Sequence, residues 1–558
     1  MLPPQGRAGP GAEAGLQERL RTGLARGGWG TAMRLWRTLR HLRPAQVIHR
    51  LWYRARLPYF RTALASTRLG EETAAPVLAL PSAPGNEANG RLILTGRVRL
   101  VGLEGPATGW TEPGLPLLWR FTLHYFEWLA DLRVLGDEGR EPARALVAHW
   151  LARFERFDPV AWHPYPLSLR LVSWLAHAEF LCQGAEAGFA EAFHRSLHRQ
   201  ARHLERVWER DVGGNHLIKN LKAAIAAAVC LPGHRAGLAR ALEVLEHEIG
   251  RQVLPDGCHY ERSPSYHFQV LGDLEDLAAL VPEPPAILAG AIGRMRPAAA
   301  FFVMAPGLLA QFNDGTADGP AASPEGPVPA ALPAAGYWRL EAGAARLLVD
   351  CGPCCPDDLP AHAHADTLSF ELFDGDHPLV VNCGTYAYQD AQWRNRFRGT
   401  AFHSTLSVDE GDSAEVYGGF RLGRRPERFR VECAGGRFSG EFDGWSRLGL
   451  THGRTLSLGE GGLEGTDEVT ASRPGSSHTL TVRFHLHPSV TARREGDEIA
   501  LVTAGGARWR FAAPGLTLSL AESRYSPRFH EMQPTLCIRL DLPFSGEKAV
   551  LPWRFYRP

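Results

Sequence analysis

The feature that most limits what this chain can fold into is a single change of hydrophobic period near its middle. Before it, apolar residues recur at helical spacing: Leu118, Phe121, Tyr125, Leu129 and Leu132 form one face of a helix. Similar stripes recur over 142–156, 167–183, 186–208, 217–231, 236–253, 267–281 and 285–304, joined by short connections with Pro, Gly or Asp. Short loops make successive helices antiparallel, so the region is a bundle, a solenoid or a closed helical toroid, and the lack of a fixed repeat argues against the solenoid. Residues 319–336, GPAASPEGPVPAALPAAG, form a low-complexity connection. Beyond them the period is two. In HTLTVRFHLHP, Leu480, Val482, Phe484 and Leu486 point one way and Arg483, His485 and His487 the other. Short strands broken by Gly-rich and Asp-Gly turns predict an antiparallel sandwich. A ligand is expected in the cleft between the two halves.

At 558 residues the chain is too long for one core. The expected divisions are an N-terminal tail, helical segment and linker (1–90), a helical domain (91–318), the connection (319–336) and a β domain (337–558). Within the first part, residues 1–30 are a loose Gly/Ala/Arg-rich tail, 35–60 are helical with a break at Pro44, and 70–90 are the linker. A 44% hydrophobic, 22% charged composition excludes a mostly disordered chain. The net charge of +1 gives no broad basic field for nucleic acid, and no long uncharged apolar run predicts a transmembrane helix. Nine cysteines are too few for a disulfide scaffold, and the cluster Cys351, Cys354 and Cys355 reads as buried thiols. The first 45 residues contain no apolar run long enough for a secretory signal.

Four patches interrupt the apolar patterning with titratable residues. In DVGGNHLIKNLKAA, Asn215 and His216 follow two glycines and open a helix; Asn215 is either a simple cap or a group facing a ligand. In LPDGCHYERSPSYHFQVL, Ser263 is the expected N-cap and Pro264 the helix starter. Tyr266 there is either buried between helices or a proton-transfer group beside Arg and His. In LPAHAHADTLSFEL, His362, His364 and Asp366 alternate and so share one face of an extended segment. RNRFRGTAFHSTLSVDEGD adds Arg394, Arg396, Arg398 and His403 before another strand.

Taken in order, HAHADTLSFEL, GTYAY, the Arg-rich turn and FHSTLSVD, with NH and SPSYH upstream, resemble the heparinase II/III family of polysaccharide lyases. The similarity runs from about residue 40 to 550. It implies an N-terminal (α/α) incomplete toroid followed by a C-terminal antiparallel β-sandwich, and β-elimination on an acidic, uronate-containing polysaccharide. In that chemistry a base removes the C5 proton, the 4-O-glycosidic bond breaks, and the neighbouring carboxylate must first be neutralised. The resemblance assigns Asn215 and His216 to the carboxylate, Tyr266 as acid and as base after losing its own proton, and His362 as the second proton-transfer group. Arg262, Lys219, Arg396 and Arg398 are the expected substrate-binding cations, with Arg262, Lys219 or His362 lowering the Tyr266 pKa. The family's structural zinc site falls on His364, Asn382 and His403. Asn382 departs from the family's aspartate, and a neutral amide is a poorer zinc ligand, so either zinc is bound weakly, Cys383 or Asp366 substitutes, or the site is metal-free. The resemblance implies export to the periplasm, while the missing signal pattern points to the cytoplasm.

Two other readings compete. A glycoside hydrolase needs two facing carboxylates, for which Asp256, Glu261, Asp314 and Asp318 are available. A catalytically silent polysaccharide-binding protein needs none, and the Asn382 departure favours it.

Overall fold

The computed structural model describes residues 28–322 and 326–558; most of the N-terminal tail expected over 1–30 lies outside them. Helices α1 (Gly28–Leu39) and α2 (Pro44–Phe60) break where Pro44 predicts, with the proline opening the second helix. After α3 (Ala63–Thr67) the expected linker is strapped to the helical domain. Glu71 pairs with Arg199, Glu72 with Arg202, and the Val77 N–H donates to the Cys230 carbonyl. The same stretch ends in α4 (Glu87–Leu94) and a β-hairpin, Arg97–Leu100 with Leu103–Pro106.

The toroid is built from α5 (Leu117–Tyr125), α6 (Leu129–Arg133), α7 (Asp137–Phe154), α8 (Pro164–Cys182), α9 (Ala187–Leu204), α10 (Gly214–Cys230), α11 (Leu238–Gln252), α12 (Pro264–Leu280) and α13 (Ala286–Phe302). Helix α10 is apolar nearly all round and packs on α8, α11 and α12, as its buried central place requires. The single helix expected across 118–132 is two, because Phe126 adopts a left-handed conformation (φ 61°). Its ring stacks on Trp110 at 5.3 Å and meets Trp174 edge-on at 5.3 Å. That aromatic burial outweighs the roughly 1–2 kcal/mol cost of the turn.

The β half contains a nine-stranded and an eight-stranded sheet, both antiparallel. Ring contacts across the interface, such as Phe484 to Trp553 at 4.6 Å, make the sandwich core. Leu480, Val482, Phe484 and Leu486 are fully buried there, as the alternation requires; Arg483 and His485 on the other face are also covered. The sheet begins with Ala331–Leu332, inside the predicted connection, paired to Tyr337–Ala342.

Arg262 fastens the halves together. Its guanidinium donates to the carbonyls of Tyr260, Ala334 and Ala335, and its own carbonyl accepts from the Tyr337 hydroxyl at 2.7 Å. All nine cysteines are free thiols; Cys351, Cys354 and Cys355 are buried, as expected.

Candidate active site

The two halves meet around Asp314, a fully buried carboxylate that binds groups from three segments. His362 Nδ1 donates to Oδ2 and His364 Nε2 to Oδ1, both at 2.9 Å. Arg394 grips both oxygens with its fork, and the Thr385 hydroxyl donates to Oδ1 at 3.3 Å. Burial alone would raise the Asp314 pKa; the Arg394 charge and the two histidine hydrogen bonds hold it well below the usual carboxylate range. Residues 362–366 form an irregular loop rather than a strand, yet the alternation places His362 and His364 on the same carboxylate.

From the toroid, Ser263 caps α12 by accepting the Tyr266 N–H at 3.2 Å, and Pro264 occupies the first turn, as the sequence predicts. This sets Tyr266 against His362, with ring centroids 4.1 Å apart and planes 32° off parallel. The tyrosine hydroxyl meets the Tyr388 hydroxyl at 2.7 Å. The phenol and imidazole are therefore packed face to face, too close to flank a sugar between them. Beyond His362, Nε2 faces Glu261 Oε2 at 3.4 Å, and that oxygen has no hydrogen-bond partner among the described residues.

Helix α10 begins on Gly213 and Gly214, both at positive φ. A Cβ on Gly214 would sit 2.5 Å from Glu261 Oε1 and from Leu359, so only glycine fits. The turn lets the Asn215 N–H donate to Glu261 Oε1 at 3.0 Å. The buried Asn215 amide makes no side-chain hydrogen bond to a described residue. His216 stacks on Tyr165 (4.1 Å) with Nδ1 3.0 Å from Glu209 Oε1. Burial would lower the His216 pKa, but the Glu209 charge and hydrogen bond outweigh it and raise it above the ordinary value.

Several expectations are corrected. The Tyr266 pKa is not lowered: burial, then Tyr388 and Asp314, push it well above the usual phenol value. Of the three groups expected to lower it, His362 lies against the phenol ring, and Arg262 and Lys219 are committed elsewhere. Arg262 serves the domain junction, and Lys219 pairs with Asp273 at 2.8 Å beside Lys222. Arg398 is fully buried and donates to the carbonyls of Ala363, Gly419 and Pro360, holding the histidine loop in place. Arg396 is exposed and lies over the Trp393 and Phe402 rings, lining a separate 440 Å³ cavity with Arg483 and Arg524. Asp314 and Glu261, considered above only as hydrolase carboxylates, join Arg394, Tyr388 and Glu209 in the site, and none of the five was assigned to the lyase. Their common signal is an acid or base beside a glycine turn or a Tyr-Arg patch, which many surface turns share.

Beside the Asp314 cluster, His364, Asp366 and His403 bring ligand atoms within 4.8 Å of one another. His364 Nε2 donates to Asp314, and His403 Nδ1 donates to the Gly399 carbonyl at 2.8 Å, so both ring protons are used. The facing atoms, His364 Nδ1 and His403 Nε2, are then two lone pairs 3.0 Å apart, beside an Asp366 oxygen with no hydrogen-bond partner. Burial lowers both histidines, His364 to about 4, so protonation does not relieve this contact at neutral pH. The donor set fits a divalent cation. The Asn382 amide oxygen accepts the Ser404 N–H at 3.3 Å. Cys383 faces Ser523 at 4.0 Å.

A helical toroid joined to a β-sandwich, with a tyrosine–histidine–aspartate cluster at the junction, defines a known class of proteins. The pattern described as Heparinase II/III N-terminus matches residues 150–282, and that described as Heparinase II/III-like, C-terminal, matches 324–553. A relative from Caulobacter vibrioides (strain NA1000 / CB15N), FtsZ-localized protein C, is 30% identical over 493 residues, covering 79% of this chain and 83% of its own. The chain belongs to the heparinase II/III-like family. Heparinase III superposes with a TM-score of 0.70 at 16% identity over 92% of each chain. Heparan sulfate lyase HepC from Pedobacter heparinus gives 0.56 at 17% identity, over 97% of this chain and 90% of its own. These two likenesses establish the fold. Among the described residues no helix is long and apolar enough to cross a membrane.

Proposed function

We propose that the chain is a polysaccharide lyase that cleaves a glucuronate-containing polymer by β-elimination. The observation that carries this reading is the Tyr266–His362 contact, an acid and a base on one surface, with His362 oriented by Asp314.

Because its Nδ1–H is given to Asp314, His362 presents Nε2 as the base. It takes the C5 proton, and the imidazolium formed lies between the Asp314 and Glu261 carboxylates. The C5–H electrons form the C4–C5 double bond, the C4–O4 bond breaks, and Tyr266, kept protonated by its raised pKa, gives its proton to O4. A proton passed from His362 to Tyr266 resets the pair. The Asn215 amide and His216, whose protonated form is favoured by Glu209, neutralise the uronate carboxylate, which makes the C5 proton acidic enough to remove.

An acid and a base on one side act on groups that share a ring face. In a 4-linked glucuronate, H5 and O4 lie on the same face; in iduronate they lie on opposite faces. The geometry therefore favours syn elimination and glucuronate. His364, Asp366 and His403 would hold a zinc ion whose charge fixes the histidine loop and thereby His362. Ultraviolet absorbance from the new conjugated double bond tests the proposal: it should appear with the wild type and disappear in Tyr266→Phe. Saturated reducing-end products instead would support hydrolysis.

A second reading has its own support. The Tyr266–Tyr388 hydrogen bond ties up the phenol, and the 30%-identical relative is named for localisation with FtsZ. On this reading the chain binds a polymer without turnover, and tight binding with no absorbing product would favour it.

A further inference from the structure

Among the described residues, sixteen large hydrophobic side chains are exposed, and seven of them fall between residues 33 and 52. On α1 they are Met33, Trp36 and Leu39, at helical spacing. On α2 they are Val47, Ile48, Leu51 and Trp52, one continuous face with Ile48 64% and Leu51 63% exposed. The opposite face of α2 carries Gln46 and Phe60, which are buried against the body of the protein. These helices are therefore not loose strands of a tail. Arg34 and Arg37 pin α1 to Glu415 on the sandwich, while Gln46 donates to the Asp211 and Asp358 carbonyls beside α2. Each helix is held by one face and shows an apolar stripe on the other.

The two helices themselves carry charge of one sign. Residues 28–61 contain eight arginines and no acidic residue. The carboxylates of Glu415, Glu427, Asp358 and Asp211 from the body offset about half of that charge. Arg54 and Arg61 are exposed and make no ion pair with a described residue, and Arg56 lies over the Trp52 ring at 4.1 Å. The adjoining residues 1–27 add four arginines against two glutamates.

We propose that α1 and α2 form an interfacial anchor that seats this protein on an anionic phospholipid surface. An apolar stripe containing two tryptophans, bordered by arginines and without acids of its own, matches what such a surface takes: side chains buried at the headgroup–acyl boundary and cations against lipid phosphates. A neutral protein partner would gain nothing from the one-signed border. The anchor lies on the N-terminal helices rather than at the Asp314 cluster, so it is independent of whether the protein cleaves polysaccharide.

The test is co-sedimentation of the full chain with vesicles of phosphatidylcholine alone or with phosphatidylglycerol. The chain should pellet with the phosphatidylglycerol vesicles, and raising the salt should weaken that binding. Ile48→Glu with Leu51→Glu should reduce partitioning at least about tenfold, because two apolar side chains leave the interface. Both positions are exposed, so the unfolding temperature should not change. If that pair does fail to fold, Trp36→Glu on the other helix should give the same loss. The proposal is overturned if the wild type stays in the supernatant with phosphatidylglycerol vesicles at low salt. It is equally overturned if the folded variants bind as well as the wild type, or if the stripes prove to be the contact between two copies of the chain with no vesicle binding.

Discussion

The protein contains two buried carboxylate hubs of nearly the same composition. In the sandwich core, Asp467 accepts from His452 at 2.7 Å, from the Arg454 fork at 2.8 and 2.9 Å, and from the Trp553 indole at 2.8 Å. At the junction, Asp314 accepts from two histidines, the Arg394 fork and Thr385. In both, burial alone would raise the acid, and the arginine and histidine partners hold it low. The difference is where the histidine leads. His452 ends inside a sealed core, with residues 452, 454 and 467 all buried. His362 instead leans on Tyr266, which is partly exposed. A buried His–Asp–Arg cluster is thus not by itself a mark of chemistry; a proton-transfer partner that reaches the surface is what separates the two.

The largest effect expected is one the hubs share. Asp314→Asn and Asp467→Asn should each cost about 3–5 kcal/mol in urea unfolding, since each leaves a buried arginine without its counter-charge. Only the first should also abolish product formation; equal loss of activity in both would erase the distinction. Next, Tyr266→Phe should lower kcat by about 10²–10⁴ with little change in unfolding temperature. An equally large loss of stability would make the tyrosine structural.

Metal removal sharpens the comparison further, because among the described residues only the Asp314 hub borders a candidate cation site. Chelation should lower the unfolding temperature, and zinc at a hundredfold above its Kd should restore about 2.7 kcal/mol of stability. His364→Ala should remove the zinc response. The effect of pH is smaller. His216 is raised in the folded protein, so the stability from its pair with Glu209 is complete below the ordinary histidine value of about 6.5 and is lost as pH rises through the raised value. KM for substrate should rise over the same range, and His216→Gln should flatten that dependence. The smallest effect is expected from Arg396→Ala, which should change activity less than about twofold, as an exposed side chain away from the cluster.

Much of this was legible in the sequence where local rules decide. The Ser263–Pro264 start, the glycine pair before Asn215 and the change of period at the connection each have a short-range physical cause. Phe126 was not legible, since its left-handed turn is set by Trp110 and Trp174, which lie far from it in the chain. The arginines show the same limit. Residues 391–398 form a helix, which puts Arg394 and Arg398 four apart on its inner face and Arg396 outside. Read as a turn, the segment gives no basis for choosing Arg394 over its neighbours. Asp314 sits in an Asn-Asp-Gly turn like many surface turns, and only tertiary contact makes it the hub. The cation position shows the reverse case: Asp366, two residues from His364 in the sequence, lies with His364 and His403 where a carboxylate ligand would be needed.

The most direct measurement compares two polymers that differ only at C5. The purified full chain is incubated with a glucuronate-rich and an iduronate-rich 4-linked glycosaminoglycan, and chain ends are read by absorbance and mass. The Tyr266–His362 geometry predicts unsaturated ends from the first and few or none from the second. Cleavage confined to the iduronate polymer, or no unsaturated product from either, would contradict it.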